Sequence, residues 1–134
     1  TGQCRFTPPV QVFLSFNEAL DVVARVGSIS ARYNRYKENN SLLISGMKKL
    51  GFKVYLPDAL RSYIITSFLY PSHPNFSFET FYSILNEKGF VIYPGKLSKV
   101  DCFRIGNIGQ LFFIDIHMII DAIEETLHEM KIKL

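Results

Sequence analysis

One piece of punctuation occurs twice in this 134-residue chain and constrains its fold more than any other feature. Lys48-Lys49-Leu50-Gly51-Phe52-Lys53-Val54-Tyr55 and Asn86-Glu87-Lys88-Gly89-Phe90-Val91-Ile92-Tyr93 each close a helix and open an extended run. Glycine takes the left-handed conformation past a helix end, and the apolar residue after it folds back onto the helix. Lysine in the last turn faces the negative end of the helix dipole. Two such junctions make the chain a mixture of helix and strand. The likeness between them is shared turn chemistry and not a sequence repeat.

The remaining elements follow from periodicity. Residues 1–9 read as extended, since Pro9 pushes Pro8 away from helix. From Val10 the apolar residues Val12, Phe13, Phe16, Ala19, Leu20, Val23 and Ala24 fall at helical spacing, and Gly27 ends the pattern. Ser28 or Ser30 caps a second helix to about Leu50, with Ile29, Tyr33, Tyr36, Leu43, Met47 and Leu50 inward. Arg32, Arg35, Lys37 and Glu38 then form a solvated face. Strands are expected at 52–56, 63–70, 90–93 and 102–105. The run YIITSFLY at 63–70 is the most strand-like, being rich in β-branched and aromatic residues. Pro57-Asp58-Ala59-Leu60 and Pro94-Gly95-Lys96 read as turns. Ser77 caps a third helix with Phe78, Phe81, Tyr82 and Leu85 inward, and a last helix at about 113–131 presents Ile116, Ile119, Ile120, Ile123 and Leu127. The order is α-α-β-β-α-β-β-α. The economical arrangement is an α+β, two-layer fold, a small and mainly antiparallel sheet with helices packed on one face.

Composition narrows the class. Hydrophobic residues make up 48% and charged residues 20%, so the chain can build a core without disulfides or a structural metal. No apolar run approaches the roughly 18 residues of a membrane span. The first residues, TGQCRFTPPV, lack the apolar stretch of a signal peptide. The net charge of +3 is spread along the chain, which argues against a nucleic-acid footprint. Cys4 and Cys102 give neither a disulfide framework nor a metal spacing, as expected of a reduced cytoplasmic protein with incidental thiols.

Catalytic groups are sparse. No Ser-His-Asp or Cys-His arrangement, GxGxxG or P-loop is present. Gly106-Asn107-Ile108-Gly109 reads as a turn more readily than as a phosphate cradle. Lys96 reads as a solvated turn lysine more readily than as a nucleophile. Arg104 stands out in Cys102-Phe103-Arg104-Ile105-Gly106, between apolar neighbours and ahead of a glycine loop. An arginine there can grip a carboxylate or phosphonate through its planar fork. It can equally be a surface residue whose stem covers apolar area.

Five motifs carry a resemblance. Cys4-Arg5-Phe6-Thr7-Pro8-Pro9, Pro57-Asp58-Ala59-Leu60, Ile64-Ile65-Thr66-Ser67-Phe68, Lys88-Gly89-Phe90-Val91-Ile92-Tyr93-Pro94-Gly95-Lys96 and Asp101-Cys102-Phe103-Arg104-Ile105-Gly106-Asn107-Ile108-Gly109 occur in this order along nearly the whole chain. They resemble the C-terminal part of the 2-aminoethylphosphonate–pyruvate transaminases. That family belongs to the class V aminotransferases of fold type I, which depend on pyridoxal 5'-phosphate (PLP).

The resemblance implies a subunit of about two to three times the length of this chain. Its large domain would carry the PLP-bearing lysine, and no lysine here matches that one. Residues 1–9 would be the strand or linker from that large domain, and residues 10–134 the small C-terminal domain. Thr1 is not Met and the chain opens within a motif, so a longer reading frame is expected upstream. The resemblance assigns no catalytic residue to this chain, and no metal. It makes Arg104 the substrate-anion anchor and Thr7 a ligand to the PLP phosphate of the neighbouring subunit of a homodimer. The substrates it implies are 2-aminoethylphosphonate and pyruvate, with neither nucleic acid nor membrane as partner. The family usually has proline where this chain has Tyr63, which bears on the cleft wall and on substrate choice. The alternatives are another class V aminotransferase of the alanine–glyoxylate type, or a non-catalytic α/β binding module.

Overall fold

A computed structural model of the chain describes residues 2, 4–95 and 100–134. The elements in order are α1 (Val10–Arg25), α2 (Ser28–Lys49), a 3-10 turn (Asp58–Leu60), β1 (Ile65–Leu69), α3 (Phe78–Glu87), β2 (Tyr93–Pro94), β3 (Cys102–Gly106) and α4 (Phe113–Glu129). The chain divides into two compact units, Thr1–Asn34 and Arg35–Leu134. In the first, α1 has no buried residue, and Val12, Phe13, Phe16 and Leu20 are exposed. Ile29 and Tyr33, expected inside, are exposed as well.

The second unit holds the sheet and the core. The sheet is antiparallel with β3 central, in the order β1-β3-β2. Leu43 and Met47 of α2, Phe81 and Leu85 of α3, and Ile116, Ile123 and Leu127 of α4 pack with Phe68, Phe103 and Ile105 from one sheet face. Phe103 is the aromatic hub. Its ring lies 5.4 Å from that of Phe81, 5.6 Å from Phe52 and 5.8 Å from Phe68, centroid to centroid. Gly46 brings α2 close to α4, because a Cβ there would collide with the Ile120 side chain. The two-layer α+β arrangement with helices on one face is therefore as expected.

Both glycine junctions form as the sequence indicates. Gly51 and Gly89 have φ of +93° and +89°. Phe52 N–H donates to Met47 O (3.0 Å), and Phe90 N–H donates to Leu85 O (2.9 Å). These are the backbone bonds that close a helix end past a left-handed residue.

The same closures explain two corrections. The strand expected at 52–56 is only a bridge, Val54 with Phe68, supported by Tyr55 N–H to Ser67 O and Leu69 N–H to Lys53 O. Phe52 is consumed by the helix closure, and Pro57 turns the chain away after Leu56. The strand expected at 90–93 begins only at Tyr93 and includes Pro94, the first residue of the expected turn. Phe90 is likewise consumed by its helix. Pro94 is tolerated because β2 is an edge strand. The order observed is thus α-α-β-α-β-β-α. Lys96, the last residue of that turn, lies outside the described residues.

Candidate functional site

Strand alternation places Arg104. Phe103 and Ile105 are locked in the core at 0% and 3% exposure, so the residue between them must emerge on the opposite face. That face is open. Arg104 pairs with Ser67 on β1 and Tyr93 on β2. Ile65 and Tyr93 there are 40% and 60% exposed. Cys102 also lies on this side yet is buried, because Gly95 packs over its sulfur and a Cβ at Gly95 would strike Sγ. Burial pushes the Cys102 thiol above its ordinary range, while the nearby Arg104 charge pulls it back.

The Arg104 guanidinium leans over β2, and its Nη2 donates to the carbonyl of Pro94 at 3.2 Å. Its Nε is shielded and has no hydrogen-bond partner. Among the described residues no carboxylate pairs with it. A neutral carbonyl leaves the positive charge uncompensated, and a charge of this kind favours an anionic acceptor.

The loop after β3 is tied to α2. Asn107 is fully buried. Its backbone N–H donates to Ile64 O (2.9 Å), and its amide Nδ2 donates to Tyr36 O (3.2 Å) and Tyr63 O (2.8 Å). Arg35 Nη2 donates to Gly109 O (3.0 Å), Gly109 N–H donates to the Tyr36 hydroxyl (3.2 Å), and Asn39 Nδ2 donates to Leu111 O (2.8 Å). The Arg35 guanidinium also stands 5.0 Å from the Phe112 ring centroid, a cation–π distance. Gly106-Asn107-Ile108-Gly109 is therefore a braced turn, in agreement with its reading as a turn. Lys37 and Glu38 are exposed as expected, but Arg35 is half-buried and Asn39 and Asn40 are buried. Arg35 leaves the solvated face because the loop offers it a carbonyl and a ring. Asn40 Nδ2 donates to Thr66 Oγ1 at 2.8 Å, which satisfies a buried pair. Two asparagines side by side inside a long helix, where they are poor helix formers, were the available signal.

Tyr63 takes part in the same contacts. Asn107 uses the carbonyl of Tyr63, which a proline would also offer, and the ring of Tyr63 lies 5.8 Å from Lys37 Nζ. Thr7, in the other unit, is exposed three residues ahead of α1. Neither Cys4 nor Cys102 is in a disulfide. Among the described residues no cluster has the makeup of a metal site, and no helix is long and apolar enough to cross a membrane.

No protein-family model matches the chain. Solved structures match its fold. Pyridoxamine–pyruvate aminotransferase from Mesorhizobium loti covers 98% of the chain with a TM-score of 0.82, and the chain covers 34% of that protein at 20% identity. Alanine–glyoxylate aminotransferase from Nostoc sp. covers 93% with a TM-score of 0.79, again at 20% identity, with 33% of that protein matched. The fold is thus that of about one third of an aminotransferase subunit. In sequence, the chain is homologous to 2-aminoethylphosphonate–pyruvate transaminase. The Vibrio vulnificus protein of that name is 49% identical over 127 residues, 95% of this chain and 35% of the relative. The resemblance carried by the five motifs is borne out, and the chain spans about a third of the length of the relatives it matches.

Proposed function

We propose that residues 10–134 are the small domain of a PLP-dependent transaminase, with residues 1–9 leading into it from a large domain. The reaction moves the amino group of 2-aminoethylphosphonate to pyruvate, giving phosphonoacetaldehyde and L-alanine. The observation that carries this reading is the Arg104 guanidinium on the sheet face opposite the core, which among the described residues has a backbone carbonyl and no carboxylate for a partner. Support also comes from the 49% identity to a protein of that name.

Arg104 holds the phosphonate of one substrate and the carboxylate of the other. Both are small anions set at a short distance from the reacting carbon, so one planar fork orients both. PLP, when bound, supplies the electron sink. Thr7 fits the role of a phosphate ligand, since its residue is exposed just ahead of a 16-residue helix whose N-terminal end favours anions. In this reading Thr7 serves the neighbouring subunit of a homodimer, in the cytoplasm, where unlinked Cys4 and Cys102 are the normal state.

The test uses the full-length polypeptide with PLP. L-alanine should appear from 2-aminoethylphosphonate and pyruvate, and its absence, or a rate only with glyoxylate as acceptor, overturns the substrate assignment. Arg104→Ala should raise KM for both substrates by about ten- to a hundredfold. Unchanged KM values would refute the anion clamp. Thr7→Val should weaken PLP retention, read from cofactor absorbance after dialysis. Full retention would remove Thr7 from the phosphate site.

A further inference from the structure

Arg104 alone does not tell a phosphonate from a carboxylate. Its fork takes two oxygens of either anion, and a phosphonate carries a third. We infer that the phenol of Tyr93 receives that third oxygen and is the residue that selects the phosphonate. This rests on the reading of Arg104 as the anion anchor.

Three observations converge on Tyr93. It is the direct cross-strand partner of Arg104 on β3, so the two side chains rise from the same face at neighbouring positions. The guanidinium leans towards β2, with Nη2 on the Pro94 carbonyl, and so lies on the Tyr93 side of the strand and away from Ser67. Tyr93 is 60% exposed, so its hydroxyl is not committed to the core. The other β2-side position on this face is Gly95, which has no side chain and offers no competing donor. Ser67, the opposite neighbour, is half-buried and too short to reach over β3 to the displaced guanidinium. A long side chain ending in an O–H donor, beside a planar cation, suits a tetrahedral anion. A planar carboxylate already satisfied by the fork gains little from it.

The experiment measures the full-length holoenzyme with Tyr93→Phe, which removes only the hydroxyl. KM for 2-aminoethylphosphonate should rise about tenfold or more, while KM for pyruvate stays within about twofold. Dissociation constants of two unreactive ligands, ethylphosphonate and propionate, should split in the same way without turnover. A melting temperature equal to that of the parent shows that the substitution has not disturbed the fold. Equal changes for both anions, or no change for either while Arg104→Ala still impairs both, would overturn the role of Tyr93 and leave the arginine anchor standing. If Arg104→Ala also changes nothing, the anchor itself falls, and this inference with it.

Discussion

Helices α1 and α4 are nearly equal in length, 16 and 17 residues, and each carries apolar residues at helical spacing. Their fates differ. Helix α4 buries Ile116, Ile119, Ala122, Ile123, Thr126 and Leu127, whereas α1 buries none of its residues. The spacing of apolar residues states which face of a helix needs cover, and it is silent on whether the surrounding chain provides it. For α4 the cover comes from α2, α3 and the sheet. The unit containing α1 is only 34 residues long, below the size at which a chain usually closes a core without disulfides or metal. Under the function proposed above, the rest of the subunit or its partner covers that stripe.

The contrast can be broken by mutation. Phe103→Ala removes the aromatic hub and should cost about 3–5 kcal/mol, with Ile123→Ala on α4 close behind at about 2–5 kcal/mol, read from denaturant midpoints. Thr66→Val should cost about 1–3 kcal/mol, because it leaves the buried amide of Asn40 without its acceptor. A neutral outcome would mean that water or a shifted neighbour replaces that bond.

A pH titration sharpens the same picture. Burial raises the acid dissociation points of Tyr70 and Cys102, with Asp101 adding to both. The folded state therefore favours their neutral forms. The stability they contribute is complete below the points at which the unfolded groups ionise, and it is lost as pH rises beyond about 9 to 10. The unfolding midpoint should fall in that alkaline window. At milder pH a thiol reagent should modify exposed Cys4 and spare Cys102. Simultaneous modification of both would contradict the burial of Cys102.

The smallest effect belongs to α1. Phe16→Ser should shift the stability of this chain by no more than about 0.5 kcal/mol, since Phe16 is already 62% exposed. A loss as large as that of Ile123→Ala would erase the distinction between the two helices.

Much of this was legible from residues alone. Helix ends announced themselves through Gly51, Gly89 and Ser77, because capping depends on residues a few positions apart. Strand lengths were less legible. The phenylalanines after the glycines looked like first strand residues, and the helix closures claimed them first. Arg104 could be singled out from its apolar flanks, since alternation in a strand is local. Its attachment to Pro94 could not, because that contact depends on the register between β2 and β3. The bracing of the 107–111 turn by Arg35, Tyr36 and Asn39 was hidden for the same reason, as it joins residues more than 70 positions apart. Polar side chains that look solvated in a helical projection are reassigned whenever a distant backbone carbonyl needs a donor.

The Pro94 contact has a consequence beyond the site. Gly95 N–H bonds to Cys102 O, so Pro94, one residue earlier, turns its backbone groups away from β3 and towards the outer edge of the sheet. At that position the edge has no N–H, because the residue is proline, and its carbonyl is already taken by Arg104. On the opposite edge, Lys53 and Tyr55 occupy Leu69 and Ser67. A foreign strand approaching at Pro94 meets a missing donor and a bonded carbonyl, and one approaching at Ser67 and Leu69 meets a bonded carbonyl and a bonded N–H. Strand addition is obstructed at these positions, which guards a chain whose helix α1 is left bare against one route to aggregation.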